Sequence, residues 1–96
     1  MNYHIELSQG AVRDLKKLDR PLRDFLYQQF HEISASPYHS PKLKGEFQDL
    51  RSYHCRYQGV DYRIIYYINE AGKLIIIALV GSRENLYKEL RRRMQK

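Results

Sequence analysis

The sequence is poor in cysteine and has no long hydrophobic run. Cysteine occurs once, at Cys55, so the chain forms no internal disulfide, which is typical of a reducing compartment. The longest apolar run extends only from Leu74 to Val80, far short of the ~20 residues that span a bilayer. Residues 1–4 lack the basic and apolar regions of a signal peptide. We therefore expect a cytoplasmic protein with no membrane partner.

Several enzyme motifs are also missing. The chain contains no Cys-x-x-Cys, no His-Glu-x-x-His, no Gly-rich phosphate loop and no Gly-x-Ser-x-Gly. Its 4 histidines are scattered along the chain without the spacing of metal ligands. The single cysteine lies among apolar positions, where a packed thiol is commoner than a nucleophile. The sequence therefore predicts no metal and no other cofactor.

Positive charge, by contrast, is abundant. The 96 residues include 17 Lys and Arg against 11 Asp and Glu, which gives a net charge of +6. This balance favours an acidic partner, with nucleic acid ahead of a membrane surface, although a basic surface also serves plain solubility. A chain of this length is expected to form a single domain, residues 1–96, around one modest core.

The pattern of residues 53–80 predicts a β-meander. Residues 53–57, 60–68 and 73–80 are rich in Val, Ile and Tyr, and Gly59 and Gly72 interrupt them where turns are needed. The second and third of these strands are apolar on both faces, which is typical of central strands that are covered on both sides. Shorter strands are predicted at residues 2–7, from their alternation, and at residues 46–50.

Amphipathic periodicity predicts helices before and after these strands. Residues 8–18 and 21–35 have apolar stripes, with Ser8 as one N-cap, Asp19 or Arg20 as the other, and Pro21 in the first turn of the second helix. The stripes suit packing on the sheet better than binding of a partner helix, since a small sheet needs a cover. The sequence thus predicts an α+β fold: a small twisted antiparallel β-sheet with an N-terminal helical hairpin on one face and a C-terminal helix at residues 85–95.

Basic residues and one tyrosine gather on or near one surface of this predicted sheet. Alternation places His54 and Arg56 on one face of their strand, and on the next strand Arg63 points opposite to Tyr62 and Ile64. Arg83 and Tyr87 follow the last strand. Cleavage of RNA by its own 2′-hydroxyl needs a base, an acid and cations, but no metal. Ordinary surface arginines beside a core tyrosine are the alternative, and spacing alone does not decide between them.

The order of elements resembles a known family. A strand, two helices and a meander that contains Lys42–Gly45, Tyr62–Tyr66 and Gly81–Tyr87 are similar to the RelE/ParE toxin superfamily over nearly the whole chain, in particular to the RelE branch of messenger-RNA interferases. The resemblance implies a ribosome-dependent endoribonuclease that cuts the message in the A site. It also implies a cognate antitoxin, through which alone the toxin would reach operator DNA.

The resemblance also assigns roles to the site residues. It implies that Arg63 stabilises the scissile phosphate, that Arg83 lies near the leaving oxygen, and that Tyr87 stacks on or orients a base. His54 and Arg56 stand where RelE has two lysines, one of them assigned to proton transfer. Because Arg56 stays charged and is a poor base, His54 is the candidate for proton transfer. A histidine that only contacts a phosphate is the alternative.

Other basic residues are candidates for contacts with RNA or the ribosome: Lys42, Lys44, Arg51, Arg91, Arg92 and Arg93. The run from Arg91 to Arg93 equally suits a solvated helix end, where cations interact favourably with the helix dipole. The ParE branch shares the fold but poisons DNA gyrase and lacks this catalytic set. Gyrase inhibition and non-catalytic RNA binding therefore remain the alternative functions.

Overall fold

A computed structural model describes residues 3–82, 84 and 86–94. In chain order the elements are β1 (His4–Leu7), α1 (Gln9–Lys16), α2 (Arg20–Ala35), a 3₁₀ helix (Gly45–Phe47), β2 (Arg51–Tyr57), β3 (Val60–Asn69), β4 (Leu74–Ser82) and α3 (Leu86–Met94). The strands form one sheet in the order β1-β4-β3-β2. The α1–α2 hairpin covers one face and α3 covers part of the other. The predicted α+β fold is confirmed, with β3 and β4 in the centre. None of the helices in these ranges is long and apolar enough to cross a membrane.

The sheet is mixed, and the prediction of a wholly antiparallel sheet is wrong for β1. The β2–β3 and β3–β4 pairs are antiparallel, as expected for a meander. Strand β1 instead pairs in parallel with β4, from His4 opposite Leu74 to Leu7 opposite Ile77. Alternation in a short strand determines which side chains it buries, but neither the partner nor the direction of pairing. The direction of β1 was therefore beyond what its pattern specifies.

Capping residues define the helical hairpin. The Ser8 hydroxyl accepts a hydrogen bond from the Ala11 N–H at 3.1 Å, and the Asp19 carboxylate accepts one from the Leu22 N–H at 3.2 Å. Both are N-cap contacts, so Asp19 rather than Arg20 is the N-cap of α2. The apolar stripes pack on the sheet as predicted, and the hairpin contributes these buried residues: Ala11, Leu15, Leu22, Leu26, Phe30 and Ile33.

A second, smaller core lies on the opposite face. It consists of Leu43, Phe47, Leu50, Ile65, Leu79, Leu86 and Leu90. The predicted strand at residues 46–50 is wrong, because Gly45–Phe47 forms a 3₁₀ helix and Gly45 takes a φ of +67°. The buried residues Phe47 and Leu50 are three positions apart, which is the spacing of a tight helical turn rather than of a strand.

Because of a β-bulge, strand β4 contributes side chains to both cores. Ile65 lies opposite Leu79 and Tyr66 lies opposite Ile77, so Ala78 has no partner on β3. As a result Ile77 faces the helical hairpin, whereas Leu79 faces α3. The Ala78 carbonyl accepts hydrogen bonds from the Ser8 hydroxyl at 3.3 Å and from Arg93 Nη1 at 3.0 Å. The bulge thereby connects the start of α1 to the end of α3.

Candidate active site

A tight turn between β2 and β3 brings His54 and Arg63 together. Gln58 and Gly59 both have positive φ angles, 50° and 80°, as in the two-residue turns that favour hairpins. This turn sets the register in which His54 lies directly opposite Arg63. Opposite residues of an antiparallel pair project from the same face. Both side chains therefore lie on the face of the sheet away from the helical hairpin.

These residues line an open groove of about 330 Å³, together with Cys55, Arg56 and Asp61. Arg63 is half-buried, and its Nε is buried without a hydrogen-bond partner among the described residues. A buried charged N–H without a partner is costly. The Arg63 side chain also lines the groove, and a guanidinium is a good partner for anionic oxygens, so the geometry suits a phosphate group.

The environment of His54 favours its neutral form. Partial burial lowers the pKa of His54 below its usual value, and the positive charge of Arg63 lowers it further. The Asp61 carboxylate acts in the opposite direction and raises this pKa. A histidine whose pKa lies below 6.5 is neutral at physiological pH and can accept a proton. The site therefore has a base next to a fixed cation.

Asp61 holds Arg56 at the rim of the groove. Arg56 Nη1 lies 3.2 Å from Asp61 Oδ1, and the two side chains are 68% and 45% exposed. An exposed pair contributes little to stability, so its effect here is on position and local charge. Asp61 was not among the predicted site residues. Its position follows from the register of the hairpin, because the Gln58–Gly59 turn places Arg56 directly opposite Asp61.

Cys55 is a packed thiol. Its side chain is half-buried and packs against the core beneath the helical hairpin. Burial raises the pKa of Cys55 to about 11, so the sulfur stays protonated at neutral pH and is a poor nucleophile. Within residues 3–82, 84 and 86–94, no group of three or more His, Cys, Asp or Glu side chains is placed to hold a metal ion.

Tyr87 lies on the same face of the sheet but does not line this groove. It stands in the first turn of α3, is 44% exposed, and its ring centroid is 6.0 Å from that of Phe47. Arg83 lies outside the described residues. The structure thus brings His54, Arg56 and Arg63 together and places Tyr87 over the neighbouring core.

The basic residues predicted to contact RNA fall into different settings. Lys42 and Lys44 are exposed in the segment before β2. The Arg51 guanidinium donates to the carbonyls of Tyr38 and Ser40 at 3.2 and 2.7 Å and lies over the Tyr38 ring. These bonds tie Arg51 to the loop that precedes β2.

The three arginines of α3 also differ from one another. Arg91 pairs with Glu46 at the surface, and Arg92 pairs with Glu89. Arg93 is only 20% exposed and binds Asp14 through both terminal nitrogens, at 2.6 and 2.9 Å. Its Nε donates to Glu89 at 2.8 Å. Arg93 therefore fastens α3 to α1, a role that the run of arginines could not indicate because Asp14 is 79 residues away in sequence.

A family profile matches most of this chain. It describes the ParE-like toxin of type II bacterial toxin–antitoxin systems and matches residues 5–91. The chain belongs to this toxin family. The resemblance to the RelE/ParE superfamily is thereby confirmed, and the protein is the toxin of a type II toxin–antitoxin system.

Solved structures show which toxins this one is similar to. A mutant of the Escherichia coli toxin RelE in the free state is 24% identical, with a TM-score of 0.78 over 99% of this chain and 100% of that chain. RelE bound to a peptide of the antitoxin RelBc is 26% identical, with a TM-score of 0.72 over 94% and 95% of the two chains. A RelBE toxin–antitoxin complex from Mycobacterium tuberculosis is 25% identical, with a TM-score of 0.72 over 86% and 100%. No curated protein sequence matches the chain.

Proposed function

We propose that this toxin is an endoribonuclease that cuts messenger RNA on the ribosome. The observation that carries the proposal is the pairing of His54 with Arg63 across β2 and β3, at a groove where Arg63 Nε has no partner among the described residues. A base that is neutral at physiological pH and an adjacent fixed cation suit attack by the 2′-hydroxyl of RNA on its own phosphate.

Three side chains of the groove then have a part in the reaction. His54 takes the proton of the 2′-hydroxyl while the new bond from this oxygen to phosphorus forms. Arg63 stabilises the negative charge that develops on the phosphoryl oxygens, and Arg56 adds positive charge from the rim. The bond from phosphorus to the 5′ oxygen breaks, and this oxygen takes up a proton from solvent water. The products are a 2′,3′-cyclic phosphate and a free 5′-hydroxyl, and no metal takes part.

An antitoxin is the expected protein partner, and a second groove suits it. This groove, of about 350 Å³, is lined by Tyr67, Ile76, Ala78 and Met94, among others, with Arg13 and Arg92 also lining it. Tyr67 and Met94 are 40% and 49% exposed, and because they line the same groove they form an exposed apolar patch. An antitoxin helix with an apolar stripe and acidic flanks would cover these residues. The relatives bound to antitoxins, from E. coli and M. tuberculosis, support such a partner.

Induction of the toxin in growing cells tests the enzymatic activity. We expect translation to stop, and we expect primer extension to map cuts inside codons of translated messages. An Arg63→Ala variant expressed to the same level is the control and should leave messages intact. If translation continues while DNA breaks accumulate, gyrase inhibition is the function instead. Arrest of translation without cuts would indicate an RNA-binding protein that is not an enzyme.

A further inference from the structure

The outer edge of β2 is uncovered along most of the strand. β2 is the last strand of the sheet, and β3 is its only neighbouring strand among the described residues. The loop before β2 covers its start, because the Ser52 N–H donates to the Pro41 carbonyl at 3.0 Å. The Leu43 N–H likewise donates to the Leu50 carbonyl at 2.9 Å. In the described part of the chain, no such bond covers the backbone of residues 53–57, which we call the open edge.

The outward backbone groups of the open edge belong to His54 and Arg56. A two-residue turn joins Tyr57 to Val60, and the residues that flank such a turn exchange hydrogen bonds with each other. Because bonded and non-bonded pairs alternate along an antiparallel ladder, the odd-numbered residues of β2 bond β3 and the even-numbered ones face outward. The outward N–H of Ser52 agrees with this assignment. His54 and Arg56 therefore each present one donor and one acceptor.

The open edge lacks the features that commonly keep a sheet edge from pairing. Such edges carry proline or lysine, contain a bulge, or are very short. Residues 53–57 contain neither proline nor lysine, and their register with β3 is regular. The opposite edge of the sheet is different, because β1 has only 4 residues. The large aromatic side chains of Tyr53 and Tyr57 favour a strand, so the open edge suits the addition of another strand.

The open edge is complementary to itself. When two copies of β2 pair antiparallel about Cys55, His54 lies opposite Arg56 of the partner subunit, and the two residues exchange their N–H and C=O groups. The two-fold axis repeats this contact, so every outward donor and acceptor of His54 and Arg56 is used. An axis at His54 or at Arg56 leaves some of these groups unpaired, because Ser52 is bonded to the loop and residue 58 belongs to the turn.

The side chains suit this pairing on both faces of the sheet. On the face toward the helical hairpin, Tyr53 lies opposite Tyr57 of the partner subunit, and aromatic pairs across strands are favourable. On the groove face, His54 meets Arg56 of the partner subunit. Arg56 forms an ion pair with Asp61, and the lowered pKa of His54 keeps this histidine neutral. The contact therefore brings few uncompensated charges together.

We propose that two copies of this toxin form a dimer through the open edge of β2, antiparallel and centred on Cys55. The dimer places Arg56 of the partner subunit beside His54, so each groove gains a cation from the other copy. The net charge of +6 on each copy opposes association. Salt screens this repulsion, so the dimer should strengthen as the salt concentration rises. This association does not depend on whether the toxin cuts RNA.

Cross-linking of Cys55 tests the register. The axis places the two copies of Cys55 in a non-hydrogen-bonded pair, whose Cα atoms lie about 4.5 Å apart, a separation that permits a disulfide. The full chain carries Arg63→Ala so that it can be expressed, and it is oxidised with copper phenanthroline over a series of protein concentrations. We expect a covalent dimer that Cys55→Ser does not form. Cys55→Ser/Tyr57→Cys is the matched control, because position 57 lies opposite position 53 and meets no cysteine.

Sedimentation velocity tests the pairing without a covalent bond. We expect the mass to rise from monomer to dimer with protein concentration, and the dimer fraction to rise with salt. Arg56→Pro removes an outward N–H and no bond to β3, so this variant should stay monomeric. Arg56→Gln removes the charge but keeps the N–H, so it is the matched control and should still form the dimer. Circular dichroism checks that both variants are folded.

A monomer at every concentration, without a covalent dimer, overturns the proposal, and cutting of messages by the unmodified toxin would still support the proposed function. A dimer that folded Arg56→Pro does not weaken, or a cross-link at position 57 and not at position 55, also overturns it. If Arg56→Pro does not fold, the cross-link at position 55 upholds the proposal and its absence refutes it.

Hydrogen exchange separates a second copy from an antitoxin strand. In the dimer, the amides of His54 and Arg56 should gain protection as the concentration of the toxin alone is raised. If they gain protection only when the antitoxin is added, the open edge pairs with an antitoxin strand and the proposal fails. A dimer of a toxin that cuts no messages upholds the pairing and refutes the nuclease.

Discussion

His54 and Arg63 lie opposite each other on β2 and β3, and they have different roles in the proposed reaction. Arg63 has a planar guanidinium with a buried Nε, so its part is to hold and stabilise a phosphate. His54 is exposed and its pKa is lowered, so its part is to exchange a proton. The two roles can be separated experimentally, because one depends on a fixed charge and the other on pH.

Replacing Arg63 should abolish cutting without unfolding the protein. Loss of one preorganised donor to a transition state typically costs about 10²–10³ in rate, and we expect Arg63→Ala to show a loss of this size in single-turnover cleavage on programmed ribosomes. Arg63→Lys keeps the charge but not the planar set of donors, so it should recover only part of the rate. If the cleavage rate of Arg63→Ala is within tenfold of that of the unmodified toxin, Arg63 takes no part in the chemistry.

The pH dependence of cutting should report the pKa of His54. A base must be neutral to accept a proton, so the rate should rise with pH up to this pKa, below 6.5, and then stay flat. Asp61→Asn removes the negative charge that raises this pKa, and the rise should therefore move to lower pH. His54→Gln should lose the rise together with most of the rate. An unchanged profile in His54→Gln would leave the histidine with phosphate contact only.

The sequence specifies this pair of residues more completely than it specifies other contacts. Two turn residues between two alternating strands determine the register, so the positions of His54 and Arg63 follow from counting outward from Gly59. The contact between Arg93 and Asp14 does not follow in this way. It depends on how α3 packs after the chain has passed through the whole sheet, and no local pattern specifies that packing.

A mostly buried ion pair between Arg93 and Asp14 holds the last turn of α3. Arg93→Gln breaks its contacts with Asp14 and leaves a mostly buried carboxylate without this partner, which should cost about 2 kcal/mol in the free energy of unfolding. Arg91→Gln is the matched control, because its pair with Glu46 is exposed on both sides and should cost less than about 0.5 kcal/mol. Urea denaturation of both variants measures the difference. Equal stabilities would show that Leu86 and Leu90 hold α3 without Arg93.

Acid should weaken the same end of α3. Hydrogen bonds from Arg92 and Arg93 lower the pKa of Glu89 to about 2, from an ordinary value of 4.5. Because the folded state has the lower pKa, the contribution of Glu89 to stability is present above pH 4.5 and is lost as pH falls toward 2. Glu89→Gln should therefore be less stable than the unmodified toxin at pH 6 and equally stable near pH 2. A stability difference that does not change with pH would contradict this account.

At the scale of elements, the helices were more predictable than the edges of the sheet. Capping residues and apolar stripes located α1 and α2 because both signals are local. The parallel pairing of β1 and the 3₁₀ helix at Gly45–Phe47 were not predicted. Each depends on tertiary packing: β1 fills the free edge of a buried central strand, and Phe47 turns inward to cover the second core.

At the scale of the whole molecule, the groove beside α3 should be the surface that an antitoxin covers. Tyr67→Ala removes a large side chain from this groove, and we expect it to weaken antitoxin binding by about tenfold, as for a moderate interface hot spot. Tyr27→Ala is the matched control, because Tyr27 is a similarly exposed tyrosine on α2, 44% against 40%. Titration of both variants with the purified cognate antitoxin measures the effect. Equal losses in the two variants would place the antitoxin elsewhere.

The parallel pairing of β1 with β4 has a consequence for the synthesis of this toxin. Ser8 and Ala78, which meet at the bulge, are 70 residues apart in sequence. Synthesis proceeds from the N-terminus, and contacts between distant segments form late because a long loop must close first. Strand β1 therefore cannot pair until β4 has been made, and only then is the sheet complete. Until β4 has been made, the sheet that carries the groove of His54 and Arg63 lacks its first strand.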